Sequence, residues 1–290
     1  MPRSSPLHPG LRLLRTAFRI TGRLAPALAA AWAYRLWFAT HRFATPKREI
    51  EWLCSAETIP MEYGDGTIHT IQWGHDRPVV LLLHGWSGRA SQLGAFAQPL
   101  LDAGFNVVAF DAPGHGRSSG KRTTLFEIAD VLDAIIRRTG NPTAIISHSF
   151  GCLVSAYALR RGVSTDCVIL LSSPTTSGYL IDKFSNTLQL TNKVKQRFLH
   201  KLELEFGADV WERIDADINA RHLSIPALIL HDRDDREVDW RCSERLANAW
   251  EGAELVYTEH LGHHRILRDH GVINQCIRFI QRHNSTGNTR

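Results

Sequence analysis

The sequence predicts an α/β protein. The expected architecture is a doubly wound, mostly parallel sheet, with a small helical lid and an N-terminal helical extension. Three observations point there. Short, wholly apolar runs such as Val79–Leu83 and Cys167–Leu171 alternate with segments of helical period. Strands read this way when helices cover both faces of a parallel sheet. The alternation breaks between Pro174 and Ile225, where helical patterns follow one another without a convincing strand. A basic segment, residues 1–50, precedes the whole pattern.

In chain order, the elements have simple causes. Leu13, Ala17, Ile20 and Leu24 share one face at helical spacing, flanked by Leu11, Leu14 and Phe18, with Arg12, Arg15, Arg19 and Arg23 in a narrow opposite stripe. Pro26 kinks or restarts that helix, and the apolar stretch Ala27–Phe43 follows. Thr58–Tyr63 and Thr67–Trp73 form a hairpin through Gly64-Asp65-Gly66. Then come strand Val79–Leu83, a helix over Ser91–Ala103, strand Phe105–Phe110, a helix over Thr124–Thr139 and strand Thr143–Ser147. A helix opens near Ser149 and runs to about Arg161, before strand Cys167–Leu171. The interrupted stretch holds helical patterns at Tyr179–Leu190, Lys193–Phe206 and Asp209–Asp217, the expected lid, bounded at about residues 175–225. Strand Pro226–His231, a helix over Trp240–Glu251, strand Ala253–Tyr257 and a helix over Gly271–Arg282 complete the series. The polar tail Asn284–Arg290 is expected to be loose. The domains are therefore expected at 1–50, a basic amphipathic helical extension, and 51–290, the α/β body.

Composition narrows the class. With 290 residues, 43% hydrophobic and 22% charged, the chain can bury a sizeable core. Five scattered cysteines, with no CxxC pair, read as free thiols in a reducing compartment, hence a cytoplasmic protein. The net charge of +5 comes wholly from residues 1–50, where nine basic residues face the single acid Glu49. The rest is slightly acidic and carries no nucleic-acid motif. The N-terminal arginines interrupt any signal-peptide core, and the longest apolar run, Leu24–Thr40, is short and contains Pro26 and Arg35, a poor transmembrane span. For residues 11–43 two readings stay open: peripheral contact with the inner face of an anionic membrane, or packing of the apolar arc on the body of the protein or on a second copy of the chain.

The chemistry-bearing residues follow the strand ends. Ser149 lies in Ile146-Ser147-His148-Ser149-Phe150-Gly151, between a buried strand and a helix. A nucleophile there must stand on a tight, strained turn, with small residues two before and two after it. Ser147 and Gly151 meet that demand, with Ser147 replacing the usual first glycine. The plainer alternative is that Ser149 only caps the helix. A serine hydroxyl needs a base, and the base needs an orienting acid. The strand ending at His231 runs into Asp232-Arg233-Asp234-Asp235, and carboxylates at the carboxyl end of a parallel strand face the crevice. Asp235 is the expected acid, with Asp232 as a turn residue and Asp234 as a solvated charge. After the last strand comes Glu259-His260-Leu261-Gly262-His263-His264, where His263 follows a flexible glycine and is the expected base. His260 and His264 are its rivals. The oxyanion formed on attack needs donors. The backbone N–H groups of Phe150 and of Trp86, in the loop His84-Gly85-Trp86-Ser87-Gly88, are the candidates, with the Trp86 indole walling an acyl pocket. His84 is expected to be structural.

Five segments, His84–Trp86, Asp111–Ser118, Ser147–Gly151, His231–Asp235 and Leu261–Leu267, stand in one order. Together they resemble the landmarks of the α/β-hydrolase family, over about Ile71 to Arg282. The resemblance implies a serine nucleophile, a structural Asp111, and no metal or organic cofactor. Dehalogenases and epoxide hydrolases of that family carry an aspartate where this chain has Ser149. The implied activity is hydrolysis of a small-molecule carboxylic ester or thioester through an acyl-enzyme. An acyltransferase using the same acyl-enzyme, and a non-catalytic binding protein on the same scaffold, are the alternatives.

Overall fold

Proline and glycine punctuate the first helices. The structure, a computed structural model, describes residues 9–284; the tail from 285 on, and Arg3, lie outside the described residues. Helix α1 (Pro9–Leu24) ends where Ala25 N–H bonds Thr21 O at 2.8 Å, and α2 (Pro26–Trp37) restarts with Pro26 in its first turn, where a missing N–H costs nothing. Helix α3 (Lys47–Cys54) was not expected from the sequence; its eight residues are too few for a periodic signal. Strands β1 (Glu57–Tyr63) and β2 (Gly66–Trp73) form the expected hairpin, with Gly64 at φ 54° in the turn. β3 (Val79–Leu83) follows.

The helix expected over 91–103 is instead a 3-10 segment, Ala90–Phe96, running into α4 (Ala97–Asp102). Pro99 explains this: it has no N–H to continue an α-helical ladder, so it sits in a first turn. Then come β4 (Asn106–Phe110), α5 (Leu125–Thr139), β5 (Ala144–His148), α6 (Phe150–Arg160) and β6 (Cys167–Leu171). The interruption holds α7 (Ser177–Leu188), α8 (Asn192–Phe206), α9 (Val210–Ile214) and α10 (Ala216–Ala220). β7 (Ala227–Asp232), α11 (Arg241–Ala249), β8 (Glu254–Thr258), α12 (Gly262–Arg265) and α13 (His270–His283) end the described chain. Side-chain caps set several starts: Thr124 Oγ1 accepts from Glu127 N–H at 3.0 Å, and Asp269 Oδ1 from Val272 N–H at 3.0 Å.

The eight strands form one sheet in the order β1-β2-β4-β3-β5-β6-β7-β8. β1–β2 and β2–β4 are antiparallel; every other pair is parallel. The doubly wound, mostly parallel sheet is thus the observed fold. From β3 the chain moves to β4 on one side, and from β5 to β6 on the other. The loops leaving the carboxyl ends of β3 and β5 therefore diverge, opening the crevice where α/β sheets place their ligands. Those two loops begin at His84 and Ser149. The central strands β4, β5, β6 and β7 are buried along their whole length, which explains the apolar runs 107–110, 144–146, 167–171 and 227–230 within them. Each fully buried leucine there stabilises the fold by about 1.5–3 kcal/mol.

The described residues group into two compact units. The larger holds residues 40–176 and those from 214 onward, including the whole sheet. The smaller joins the first helices, up to Ala39, to residues 177–213, so α1 and α2 share a core with α7 and α8. Phe18 stacks on Trp32 at 4.3 Å, and Trp37 packs edge-on against Phe184 and Phe198. Gly22 lets α1 approach α8 closely: a Cβ there would lie 3.2 Å from Val194 Cγ2. Arg15 Nε donates to Thr187 O at 2.7 Å. The apolar arc seen in the sequence of α1 is divided. Phe18 is buried and Leu14 half-buried in this core, while Leu13, Ile20 and Leu24 are exposed.

Candidate active site

Ser149 stands between β5 and α6 at φ 53° and ψ −122°. A non-glycine residue held there carries strain on the order of 1–3 kcal/mol. Its neighbours hold the turn: Ser149 N–H donates to Leu171 O at 2.9 Å, and Cys152 N–H to Ser149 O at 2.9 Å. The side chain does not cap α6, so helix capping does not explain the serine. Gly151 is required by close approach, since a Cβ would lie 2.8 Å from His84 O and 2.9 Å from Leu83 O. Gly85 is equally confined, with Ser149 Cβ at 2.9 Å from its would-be Cβ. Ser147, in place of a glycine, is fully buried and its hydroxyl lies 2.5 Å from that of Ser155. The Cys152 thiol behind the turn is pushed up to about 12 by burial, so it stays protonated and inert.

Three histidines of the last loop take three different carboxylates. His260 Nδ1 lies 2.7 Å from Asp234, His264 Nε2 2.9 Å from Glu237, and His263 Nδ1 2.6 Å from Asp235 Oδ2. Burial separates them. The side chains of the His263–Asp235 pair are 5% and 0% exposed, against 87% and 56% for His260–Asp234 and 59% and 51% for His264–Glu237. An exposed pair is screened by water and holds its ring weakly. Only the buried pair can fix one tautomer and one orientation. Nδ1–H donates to Asp235, which leaves Nε2 of His263 as the ring's free lone pair.

Burial pushes the Asp235 carboxyl up. Hydrogen bonds from His231, His263 and the Val238 N–H outweigh that and hold it far below the ordinary carboxylate range. The other oxygen, Oδ1, accepts from the N–H groups of Glu237 at 2.7 Å and Val238 at 2.9 Å. His231 was not singled out in the sequence. Its Nε2 lies 3.3 Å from Asp235 Oδ2 and its Nδ1 2.6 Å from Ser243 Oγ, so it buttresses the carboxylate from the β7 side.

Asp232, expected to be a turn residue, does more. It is the last residue of β7 and fully buried, and it gathers the loop that carries His263. Oδ1 accepts from Gly262 N–H at 2.8 Å, and Oδ2 from Leu261 N–H at 3.0 Å and Thr258 Oγ1–H at 2.7 Å. Burial raises its carboxyl and these donors more than compensate, leaving it below the usual range. The sequence reading ends the strand at His231; the structure extends β7 by one residue to Asp232, which turns this carboxylate inward. Asp232→Ala should release the loop and lower kcat about 10²-fold through misplacement of His263, with KM little changed. Steady-state kinetics check this: unchanged kcat would remove the positioning role, and a loss equal to that of His263→Ala would make Asp232 part of the reacting machinery.

His148 also escaped the sequence reading. It is buried beside Ser149, its Nε2–H donates to His263 O at 2.9 Å, and its ring lies 4.6 Å from that of His263. This contact joins the Ser149 turn to the His263 loop. Burial, and then the neighbouring His263, push its pKa well below 6.5, so it stays neutral and adds no competing charge.

Trp86 and Phe150, the residues expected to supply oxyanion donors, are in side-chain contact. The Trp86 and Phe150 rings meet edge to face at 5.0 Å, and neither backbone N–H donates to a protein acceptor among the described residues. His84 is buried and braces this loop: its Nδ1–H donates to Gly85 O at 2.7 Å, and its Nε2 accepts from Ala112 N–H at 3.0 Å. Asp111 accepts from Ala90 N–H at 2.7 Å and Arg117 N–H at 2.8 Å, a structural part. The same loop is anchored from α3. Glu49 is buried and takes Arg89 by two bonds, of 2.6 and 3.2 Å, while Ser91 Oγ–H adds a third at 2.8 Å. Among the described residues no cluster of histidine, cysteine or carboxylate side chains could hold a metal ion.

Comparison with known proteins gives a consistent result. The sequence profile of the "Alpha/beta hydrolase family" matches residues 80–275. RutD of Variovorax paradoxus (strain S110), provisionally named a carbamate hydrolase, is 26% identical over 247 residues, covering 70% of this chain and 91% of that protein. The lysophosphatidylserine lipase ABHD12 of Rattus norvegicus is 28% identical over 192 residues, covering 60% of this chain but 45% of that protein. An esterase of Pyrococcus furiosus has the same fold, with a TM-score of 0.62 at 18% identity, over 86% of this chain and 98% of its own.

Proposed function

The chain belongs to the alpha/beta hydrolase family, and on that premise we propose that it is a serine hydrolase cleaving carboxylic esters or thioesters through an acyl-enzyme on Ser149. The observation that carries this reading is the buried His263–Asp235 pair, 2.6 Å apart, with the His263 loop bonded through His148 to the turn that holds Ser149.

Each residue then has one task. Nε2 of His263 takes the Ser149 hydroxyl proton as Oγ attacks the acyl carbon. The carbonyl oxygen becomes an oxyanion, stabilised by the N–H groups of Trp86 and Phe150; one such donor is worth on the order of 10²–10³ in kcat. The N-terminus of α6 adds its partial positive charge. Collapse breaks the bond to the leaving alkoxide or thiolate, which receives the proton from His263. A water, deprotonated by His263, attacks the acyl-enzyme, and the second collapse frees the acid and restores Ser149. Asp235, held anionic, stabilises the imidazolium in both steps.

The relatives' names, a carbamate hydrolase and a lysophospholipid lipase, support hydrolysis over transfer. A panel of p-nitrophenyl esters graded from acetate to palmitate tests the proposal. The expected result is saturable release of p-nitrophenol and, after quenching, an acyl mass increment on the peptide containing Ser149. No turnover of any ester or thioester would overturn it. Partition of the acyl group to added alcohols ahead of water would move the assignment to an acyltransferase.

A further inference from the structure

The exposed side of α1 carries two adjacent stripes of opposite kind. Leu13, Ile20 and Leu24 are 74%, 52% and 81% exposed, and Leu28, at the start of α2, is 71% exposed. At 100° per residue the first three fall within an arc of about 40°. Arg12, Arg19 and Arg23, all exposed, occupy a second arc of about 40°, centred about 100° from the first. None of the three arginines forms an ion pair or hydrogen bond among the described residues. The third side of the helix, with Leu14, Phe18 and Gly22, is already occupied by the core shared with α2, α7 and α8. An exposed strip of large aliphatic residues costs solvation without contributing to that core, so its placement calls for a partner.

From this juxtaposition we infer that the outer face of α1 is a docking surface for an anionic lipid bilayer. The helix lies in the headgroup plane, Leu13, Ile20 and Leu24 enter the acyl boundary, and Arg12, Arg19 and Arg23 reach lipid phosphates. Charge selects this occupant. Residues 1–48 contain no aspartate or glutamate. A second copy meeting this face with its own α1 would bring two arginine stripes together, with no acid in residues 1–48 of either copy to separate them. A bilayer offers both halves of the complement, an apolar layer beneath a layer of phosphates. α1 has sixteen residues and four arginines, and no described helix is long and apolar enough to cross a membrane, so the mode is lying on the surface.

The test uses the full chain with vesicles of phosphatidylcholine alone and with about 30 mol% phosphatidylglycerol added. The full chain should sediment with the anionic vesicles and not with the neutral ones. Binding should weaken as salt rises from about 0.1 M to about 1 M, where the Debye length falls from about 10 to about 3 Å. Replacing Arg12, Arg19 and Arg23 together by Gln should lower the partition coefficient on the order of 10²-fold, about fivefold for each arginine. Replacing Leu13, Ile20 and Leu24 together by Ser should abolish binding. All six side chains lie outside the core, so both variants should fold, as circular dichroism would show. Failure of the full chain to bind anionic vesicles, or equal binding by either triple variant, would overturn the inference. A dimer dissociated by the serine substitutions, with no vesicle binding, would overturn it in favour of a second copy.

Discussion

Ser149→Ala is expected to abolish ester hydrolysis, with kcat falling on the order of 10⁴–10⁶-fold while the fold persists. The expectation rests on the turn, since Ser149 is held at φ 53° and ψ −122° with its side chain unused by the helix it precedes. Residual activity would come from the Trp86 and Phe150 donors and from substrate binding, which the substitution leaves in place. A fluorophosphonate probe should label the native chain and fail to label the alanine variant. Ser149→Gly offers a second reading of the same site. It should be equally inactive yet more stable by about 1 kcal/mol, because glycine relieves the strain at this φ and loses part of that gain to chain entropy. Labelling or full activity in the alanine variant would sink the assignment. A glycine variant less stable than the native chain would remove the claim of strain.

Asp235→Asn should cost about 10⁴ in kcat, the scale expected when an orienting carboxylate becomes an amide and the imidazole takes the wrong tautomer. Asp235 Oδ2 is the acceptor for His263 Nδ1–H; an amide there would present either a donor or a weaker acceptor. His263→Ala should be at least as damaging. Asp234→Asn, His260→Ala and His264→Ala should each stay within about tenfold of the native rate, because their pairs are exposed and screened. His264 nonetheless has its pKa raised, chiefly by its hydrogen bond to Glu237, so it carries positive charge to higher pH than a free histidine. Removing that charge next to His263 is a modest electrostatic change. If His264→Ala proves the inactive variant, or Asp234→Asn outranks Asp235→Asn, the proposed roles move to those residues.

Much of this protein follows from local pattern. Val79–Leu83 and Cys167–Leu171 have the same bounds in the sequence reading and in the structure, because a strand buried on both faces writes itself as an unbroken apolar run. The hairpin at Gly64-Asp65, the restart at Pro26 and the strand–turn–helix at Ser149 depend on a few neighbouring residues, so they too were legible. Alternation of strands and helices carries the doubly wound sheet, and chain order carries the sequence of candidate nucleophile, acid and base. What only the tertiary structure decided are the pairings. Three aspartates stand within four residues and three histidines within five, and composition treats each set alike. Burial sets His263 apart from His260 and His264, and Asp234 apart from Asp232 and Asp235. The partner separates the last two: Asp235 takes the His263 ring and Asp232 the Leu261 and Gly262 N–H groups, where β7 and the loop after β8 meet across 28 residues of chain. The contributions of Asp232 and His231 are hidden for the same reason, since their partners Gly262 and Ser243 are distant in sequence. The division of α1 into a packed side and an open side is likewise set by Val194 and Phe198, about 170 residues away. Periodicity reports that a helix has an apolar arc; what covers each part of that arc depends on which other segments fold against it.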